Sequence, residues 1–179
     1  MGDPRRLRKK YEGPRHPFSK QRFEEEIKYM GIYGLRNKKE IWKAQTKLRN
    51  FRSRGRKSLA LPEPHREKER EILVQKLYKL GIMPVEDGLI DEVLSLSVER
   101  FLDRRLQSVV HERGLAKTPW MARQLIVHGH IAIGNRKINS PSYAVKRGED
   151  ELVTYAPDSP FNNPSHPALT LPTSEGRFS

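Results

Sequence analysis

The stretch from Thr118 to Ile138, TPWMARQLIVHGHIAIGNRKI, decides the fold. Thr118 followed by Pro119 is a helix start: the hydroxyl caps a free N–H, and proline occupies the first helical position, where an N–H has no partner anyway. Ala122, Leu125, Ile126 and Gly129 fall on one helical stripe, with Trp120, Arg123, Gln124 and Val127 along another side. The period then changes. Ile131-Ala-Ile133, the turn Gly134-Asn135 and Arg136-Lys137-Ile138 read as a hairpin, and glycine at the first turn position suits a type II′ connection. A short helix running into a short hairpin marks a small mixed module.

Working outward, Val98, Leu102, Leu106, Val109 and Val110 give the inner face of one preceding helix, closed by Gly114, with Arg104, Ser108 and His111 outward. After the hairpin, 141–145 and 152–155 add short strands around a charged turn, and the Pro-rich 157–179 reads as a surface tail. Upstream lies a helical region. Residues 1–18 form a basic extended arm with no periodic apolar face, expected to stay disordered until a partner binds. Ser19 starts a helix through Met30, with Phe23, Ile27 and Met30 on one side and Gly31 as its stop. Asn37 and Glu40 open the next helix in a capping-box-like start. Ile41, Ala44, Gln45, Leu48 and Phe51 face inward there, and Lys39, Lys43, Lys47, Asn50 and Arg54 outward. The segment closes in a flexible cationic cluster around Gly55, and a third helix spans about 65–80 with Ile72, Leu73, Leu77 and Leu80 inward. The acidic stretch 86–99 reads as a solvated helix face. The predicted fold class is α+β: a basic helical region over 1–97, a compact module of two helices on a short antiparallel sheet over 98–160, and an extended tail over 161–179.

Charge is distributed unevenly. The 179 residues carry a net +13 with a mean hydropathy of −0.79. Residues 1–70 hold 22 Lys+Arg against 9 Asp+Glu, whereas the remainder holds 13 of each. Crowded like charges repel, so the excess calls for a polyanion, and nucleic acid is the usual one. With no cysteine there is no disulfide framework and no thiolate zinc site. No apolar run nears the ~18 residues of a spanning helix, which argues against membrane insertion and secretion.

Four blocks, Leu102-Asp-Arg-Arg-Leu106, Ala122-Arg-Gln-Leu-Ile126, Gly129-His-Ile-Ala-Ile133 and Pro141-Ser-Tyr143 with Val145 and Gly148, occur in order. Together they resemble the RNA-binding module named after ribosomal protein four of the small subunit. The family commonly shows Asn-Gly where this chain has Gly134-Asn135, a change of turn type. Upstream, GDPRRLRKK at 2–10, YGLRNKKEIW at 33–42 and Val74 with LYKLGI at 77–82 make roughly residues 1–160 similar to the archaeal and eukaryotic form of that ribosomal protein family. The resemblance implies a primary binder of small-subunit rRNA that organises a multi-helix junction during assembly. It also implies a cytoplasmic seat in the subunit, near where the messenger enters, with ribosomal proteins five and three as neighbours and a share in translational accuracy. In the module it makes Arg104, Arg105, Arg123, Arg136 and Lys137 candidate RNA contacts, with Thr118, Trp120, Gln124 and His128 beside them. From charge, the upstream candidates are Arg5, Arg6, Arg8, Lys9, Lys10, Lys39, Lys43, Lys47, Arg49, Arg52, Arg54, Arg56 and Lys57.

An enzyme is the reading from another class. A pseudouridine synthase carrying this module needs a further catalytic domain, and no phosphate-binding glycine loop is present. No cofactor is implied. His128 and His130 lack a third ligand, so they read as RNA-facing or packed and not as a zinc site. Glu24-Glu25-Glu26 reads as a solvated face, because consecutive helical residues point in different directions. Trp42, Tyr33 and Phe51 read as core and not as stacking platforms. An assembly factor of the same family is the nearer alternative, and the basic arm and the 49–57 cluster favour the ribosomal protein.

Overall fold

The computed structural model describes residues 9–163 together with 166 and 167. Arg5, Arg6 and Arg8 lie outside the described residues, as does 168–179 of the expected tail. Helix α1 (Lys20–Tyr33) begins after Ser19 as the sequence predicts but runs past Gly31 to Gly34, which has φ 57°. A Cβ at Gly34 would lie 2.8 Å from both Gln107 Nε2 and Pro119 Cβ, so chain direction and close packing both require glycine. The expected inner face is not the buried one. Phe23 and Ile27 are about half exposed, and the buried residue of α1 is Glu26. This corrects its reading as a solvated carboxylate: Trp42 Nε1 donates to it at 2.9 Å, with Arg22 at 3.2 Å and Lys38 at 3.0 Å.

Helix α2 (Lys38–Leu59) buries Ile41, Ala44 and Leu48 as its periodicity predicts. It continues through the cations of 52–57, expected as a loose cluster around Gly55 but helical. Gly55 and Ser58 prolong the same stripe, and Gly55 sits against Leu73, Ile90 and Leu94. Helix α3 (Glu63–Lys79) turns inward with Leu73, Val74 and Leu77, while Ile72 stays half exposed. Helix α4 (Ile90–Ser95) buries Ile90 and Val93 and leaves Asp91 and Glu92 in water, the solvated face expected.

The single helix expected after Val98 is two: α5 (Glu99–Asp103) and α6 (Leu106–Glu112). Between them Arg105 is extended, at φ −77° and ψ 141°. Hydrogen bonds to the 141–145 segment replace the helical ones: Leu106 N–H donates to Tyr143 O at 2.8 Å and Val145 N–H to Arg104 O at 2.9 Å. That segment accordingly forms only an isolated bridge, Arg105 opposite Ala144, and not the expected strand. Ser108, expected outward, is buried and donates to Leu102 O at 2.7 Å. Helix α7 (Pro119–Val127) leads into an antiparallel sheet of order β2-β1-β3, from β1 (Ile131–Ile133), β2 (Arg136–Lys137) and β3 (Val153–Tyr155). Gly134 has φ 57° and no described non-glycine residue has positive φ, which excludes type I′ and fits the type II′ turn. Leu106, Val110, Ile126, Ile131, Val145 and Val153 form the module core, and Phe161 of the following 3-10 turn packs on it.

Candidate nucleic-acid interface

Helix α2 presents Lys39, Lys43 and Lys47 one turn apart, all exposed and none in an ion pair with a described residue. The spacing follows from 3.6 residues per turn opposite the buried Ile41-Ala44-Leu48 stripe. Crowding by neighbouring atoms, then the positive charges of Arg105 and Lys43, push the Lys47 ammonium down from its usual range. An anion laid on the ridge would relieve that repulsion. Further along, Arg56 and Lys57 are exposed, and Arg54 lies 3.7 Å from Glu69. Arg49 is paired with Glu12 of the arm. Arg52 turns inward and donates to Leu96 O at 2.5 Å. Residues 9–18 lie along the same helices: Glu12 N–H donates to Thr46 Oγ1 at 3.1 Å, Tyr11 meets Trp42 at 6.0 Å, and Lys9 sits over the Tyr11 ring at 4.6 Å, with Lys10 exposed.

The module arginines are placed differently from the expectation that they face RNA. Arg123 Nη2 donates to Glu40 Oε1 at 2.9 Å, and Arg105 pairs with the other oxygen of the same carboxylate. Burial opposes ionisation of Glu40, but the Arg123 hydrogen bond and the charges of both arginines outweigh it and hold its carboxyl below the usual range. Beneath the clamp, the buried Gln107 amide donates to Gly34 O at 2.8 Å and Pro119 O at 2.9 Å. Arg104 donates to Val145 O and to Asp150, both at 2.9 Å. All three guanidinium groups are therefore engaged inside the protein, although Arg105 Nε is buried without a hydrogen-bond partner among the described residues. Their carboxylates come from Glu40 and Asp150, far away in sequence. The expected capping role of Glu40 is absent too, since its carboxylate is engaged in the clamp.

The rest of the module's candidates lie on its outer rim. Thr118 accepts a hydrogen bond from Met121 N–H at 3.1 Å, the predicted cap. Trp120 is half exposed, and Gln124, His128 and Arg136 are exposed. His128 stacks on His130 with ring centroids 6.3 Å apart. Lys137 pairs with Asp158. Of the three aromatics read as core, Tyr33 and Phe51 pack on the buried clusters, Tyr33 donating to Asp103 at 2.7 Å and Phe51 meeting Phe101 at 5.7 Å, whereas Trp42 is only partly buried and donates to Glu26 beside Tyr11 of the arm. One cationic cluster escaped sequence reasoning. Lys76, Lys79, Lys146 and Arg147 rim a cleft of about 630 Å³ floored by Ile72, Tyr78 and Leu80, with Arg147 stacked 4.0 Å over the Tyr78 ring. Its only sequence signals are the lysines of the last turn of α3 and the adjacent pair at 146–147.

Comparison with known proteins matches residues 104–152 to the family described as "S4 domain" and 5–103 to "Ribosomal protein S4/S9 N-terminal domain". Small ribosomal subunit protein uS4 of Hyperthermus butylicus is 55% identical over 161 residues, covering 90% of this chain and 91% of that protein. Its namesake in Sulfolobus acidocaldarius is 53% identical over 167 residues, covering 92% and 95%. That of Sulfurisphaera tokodaii is 49% identical over 176 residues, covering 98% and 96%. The chain belongs to the small ribosomal subunit protein uS4 family. In this uS4-family chain the two matched segments meet at 103 and 104, where α5 gives way to the extended Arg105. Glu40 lies in one segment and Arg105 and Arg123 in the other, so the clamp joins the helical region to the RNA-binding module.

Proposed function

We propose that this chain is a structural constituent of the small ribosomal subunit and binds small-subunit rRNA through two surfaces, the cationic α2 ridge and the mixed polar and aromatic outer rim of the module. The observation that carries the reading is the row Lys39, Lys43 and Lys47, exposed without a carboxylate partner among the described residues. A-form RNA hides its base edges in a narrow groove, so proteins grip it by phosphate, 2′-hydroxyl and shape. Two surfaces held at a set distance by the Glu40 clamp suit a folded RNA better than a lone duplex. The names of the relatives support the subunit assignment. The finer placement rests on the family resemblance: a multi-helix junction organised during assembly, a cytoplasmic seat near where the messenger enters, proteins five and three as neighbours, a share in accuracy. The reading gives the chain no reaction of its own.

Titration of the full chain against a junction-containing rRNA fragment tests it. Each neutralised phosphate contributes roughly −0.7 to −0.9 to the log–log salt slope, so about eight contacts give a slope near −6. A slope shallower than about −2 would sink the reading. Sedimentation with mature translating subunits, and not with precursors alone, separates a ribosomal protein from an assembly factor.

A further inference from the structure

Between the arm and the first two helices lies an open cavity of about 530 Å³ whose walls include Pro14, Pro17, Phe18, Phe23 and Trp42. Phe18 is 98% exposed and Phe23 48% exposed, so among the described residues the Phe18 ring packs against almost nothing and the Phe23 ring is only half covered. A free aromatic costs solvation and contributes nothing to this fold, and exposed apolar surface beside a cavity marks a binding site. The charges that line the cavity are Lys20, Arg22, Lys38 and a single acid, Glu26. Lys38 also sits 3.5 Å above the Phe23 ring. The floor is fixed, because Glu26 is held at once by Trp42, Arg22 and Lys38.

We propose that this cavity takes one unstacked RNA base, laid against Phe18 and Phe23, with its phosphate on Lys20 and Lys38. The proposal rests on the rRNA-binding reading above and locates one contact within it. Charge selects the occupant: the lining carries more cations than acids even when Glu24, 3.9 Å from Lys20, is counted with Glu26, and that excess favours a polyanion over a protein segment. The walls select a base, since every nucleobase presents a π-face and aromatic side chains stack on it without regard to sequence. A paired duplex cannot offer a base to this cavity, so the contact belongs to a loop, bulge or junction.

Phe18 is the residue to change, because its ring touches solvent almost everywhere and its loss leaves the fold intact. Phe18→Ala and Phe18→Leu in the full chain should each weaken binding to a small-subunit rRNA transcript by about tenfold, or about 1.4 kcal/mol. Phe18→Tyr should bind like the unaltered chain. The salt slope should stay the same in all three, since no charge is removed, and so should the thermal midpoint. Short-wavelength crosslinking of the unaltered complex should join RNA to a peptide containing Phe18 or Phe23. If the unaltered chain binds the transcript tightly and Phe18→Ala and Phe18→Leu bind equally well, the base site is overturned and the rRNA reading stands. The base site is overturned in the same way if Phe18→Ala instead weakens only the association with purified small-subunit proteins. If the unaltered chain prefers the transcript no more than an unrelated duplex, the rRNA reading itself fails.

Discussion

Lys39, Lys43 and Lys47 on α2, and Arg104, Arg105 and Arg123 in the module, carry the same formal charge and meet opposite fates. The lysines stand in water on the face opposite a buried stripe, while the arginines are drawn onto Glu40, Asp150 and a backbone carbonyl. The chemistry of the side chains fits the division. A guanidinium offers a planar fork that satisfies a carboxylate at a packed seam, whereas an ammonium on a flexible stem is a hydrated point charge suited to a mobile phosphate surface. Cation counts thus overstate the module's share of the polyanion surface and leave the ridge's share intact. The distinction can be broken at either end.

The largest effect should come from the seam. Glu40→Ala leaves Arg105, whose side chain is 10% exposed, and Arg123, at 21%, without their shared anion. Removing one partner of a buried ion pair costs about 3 kcal/mol or more, which for a chain of this size lowers the thermal midpoint by roughly 10 °C. Thermal and urea unfolding would measure it. A midpoint shift under about 2 °C would mean that the two matched segments do not depend on the clamp, and the arginines would return to the pool of RNA contacts.

The ridge should behave in the opposite way. Replacing Lys39, Lys43 and Lys47 together by Ala should leave the thermal midpoint almost unchanged, because all three are exposed and unpaired with any described residue. It should make the salt slope of rRNA binding shallower by about 2 and weaken binding roughly a hundredfold at moderate salt. Filter binding across a salt series reads both. An unchanged slope would move the phosphate surface elsewhere, with the Lys76, Lys79, Lys146 and Arg147 cleft as the next place to look.

What the sequence reveals follows the range of the forces involved. The Thr118 cap, the hairpin turn at Gly134 and the buried stripe of α2 are set by neighbours within four residues, and each is present as read. The continuation of that stripe through Gly55 and Ser58 has the right spacing, but neither residue is apolar, so periodicity alone ends the helix where the structure continues it. The break at Arg104–Arg105 and the burial of Glu26 depend on partners such as Tyr143 and Trp42 that periodicity cannot supply. For the candidate interface, the exposed lysines were legible because their face is opposite an apolar one. The arginine pairings were not, since Glu40 lies 83 residues from Arg123.

Acid should sharpen the contrast by erasing part of the seam while sparing the ridge. The Glu40 carboxyl titrates below its usual value of 4.5 in the folded chain. Above that usual value it is charged in both folded and unfolded states, and the clamp contributes in full. As pH falls through the lower folded value, protons bind the unfolded chain first and the contribution disappears. The difference in urea stability between the unaltered chain and Glu40→Gln should therefore be constant from pH 7 to about 5 and shrink toward pH 3. A difference that stays flat to pH 3 would show that shape, and not charge, makes Glu40 fit.

The smallest effect concerns Thr118, which stands where the rim of the module and its interior scaffold meet. The family resemblance places it beside the RNA, yet its hydroxyl oxygen already accepts from Met121 N–H at 3.1 Å as the cap of α7. Loss of such a cap costs about 1 kcal/mol. Thr118→Ala should lower unfolding free energy by that amount and leave the affinity for an rRNA fragment unchanged, while Thr118→Ser, which keeps the acceptor, should restore stability. The opposite pattern, full stability with weakened RNA binding, would mean that the hydroxyl serves a phosphate in the complex. Thr118 would then join Trp120, Gln124, His128 and Arg136 on the rim, and the scaffold would end one residue later in the chain.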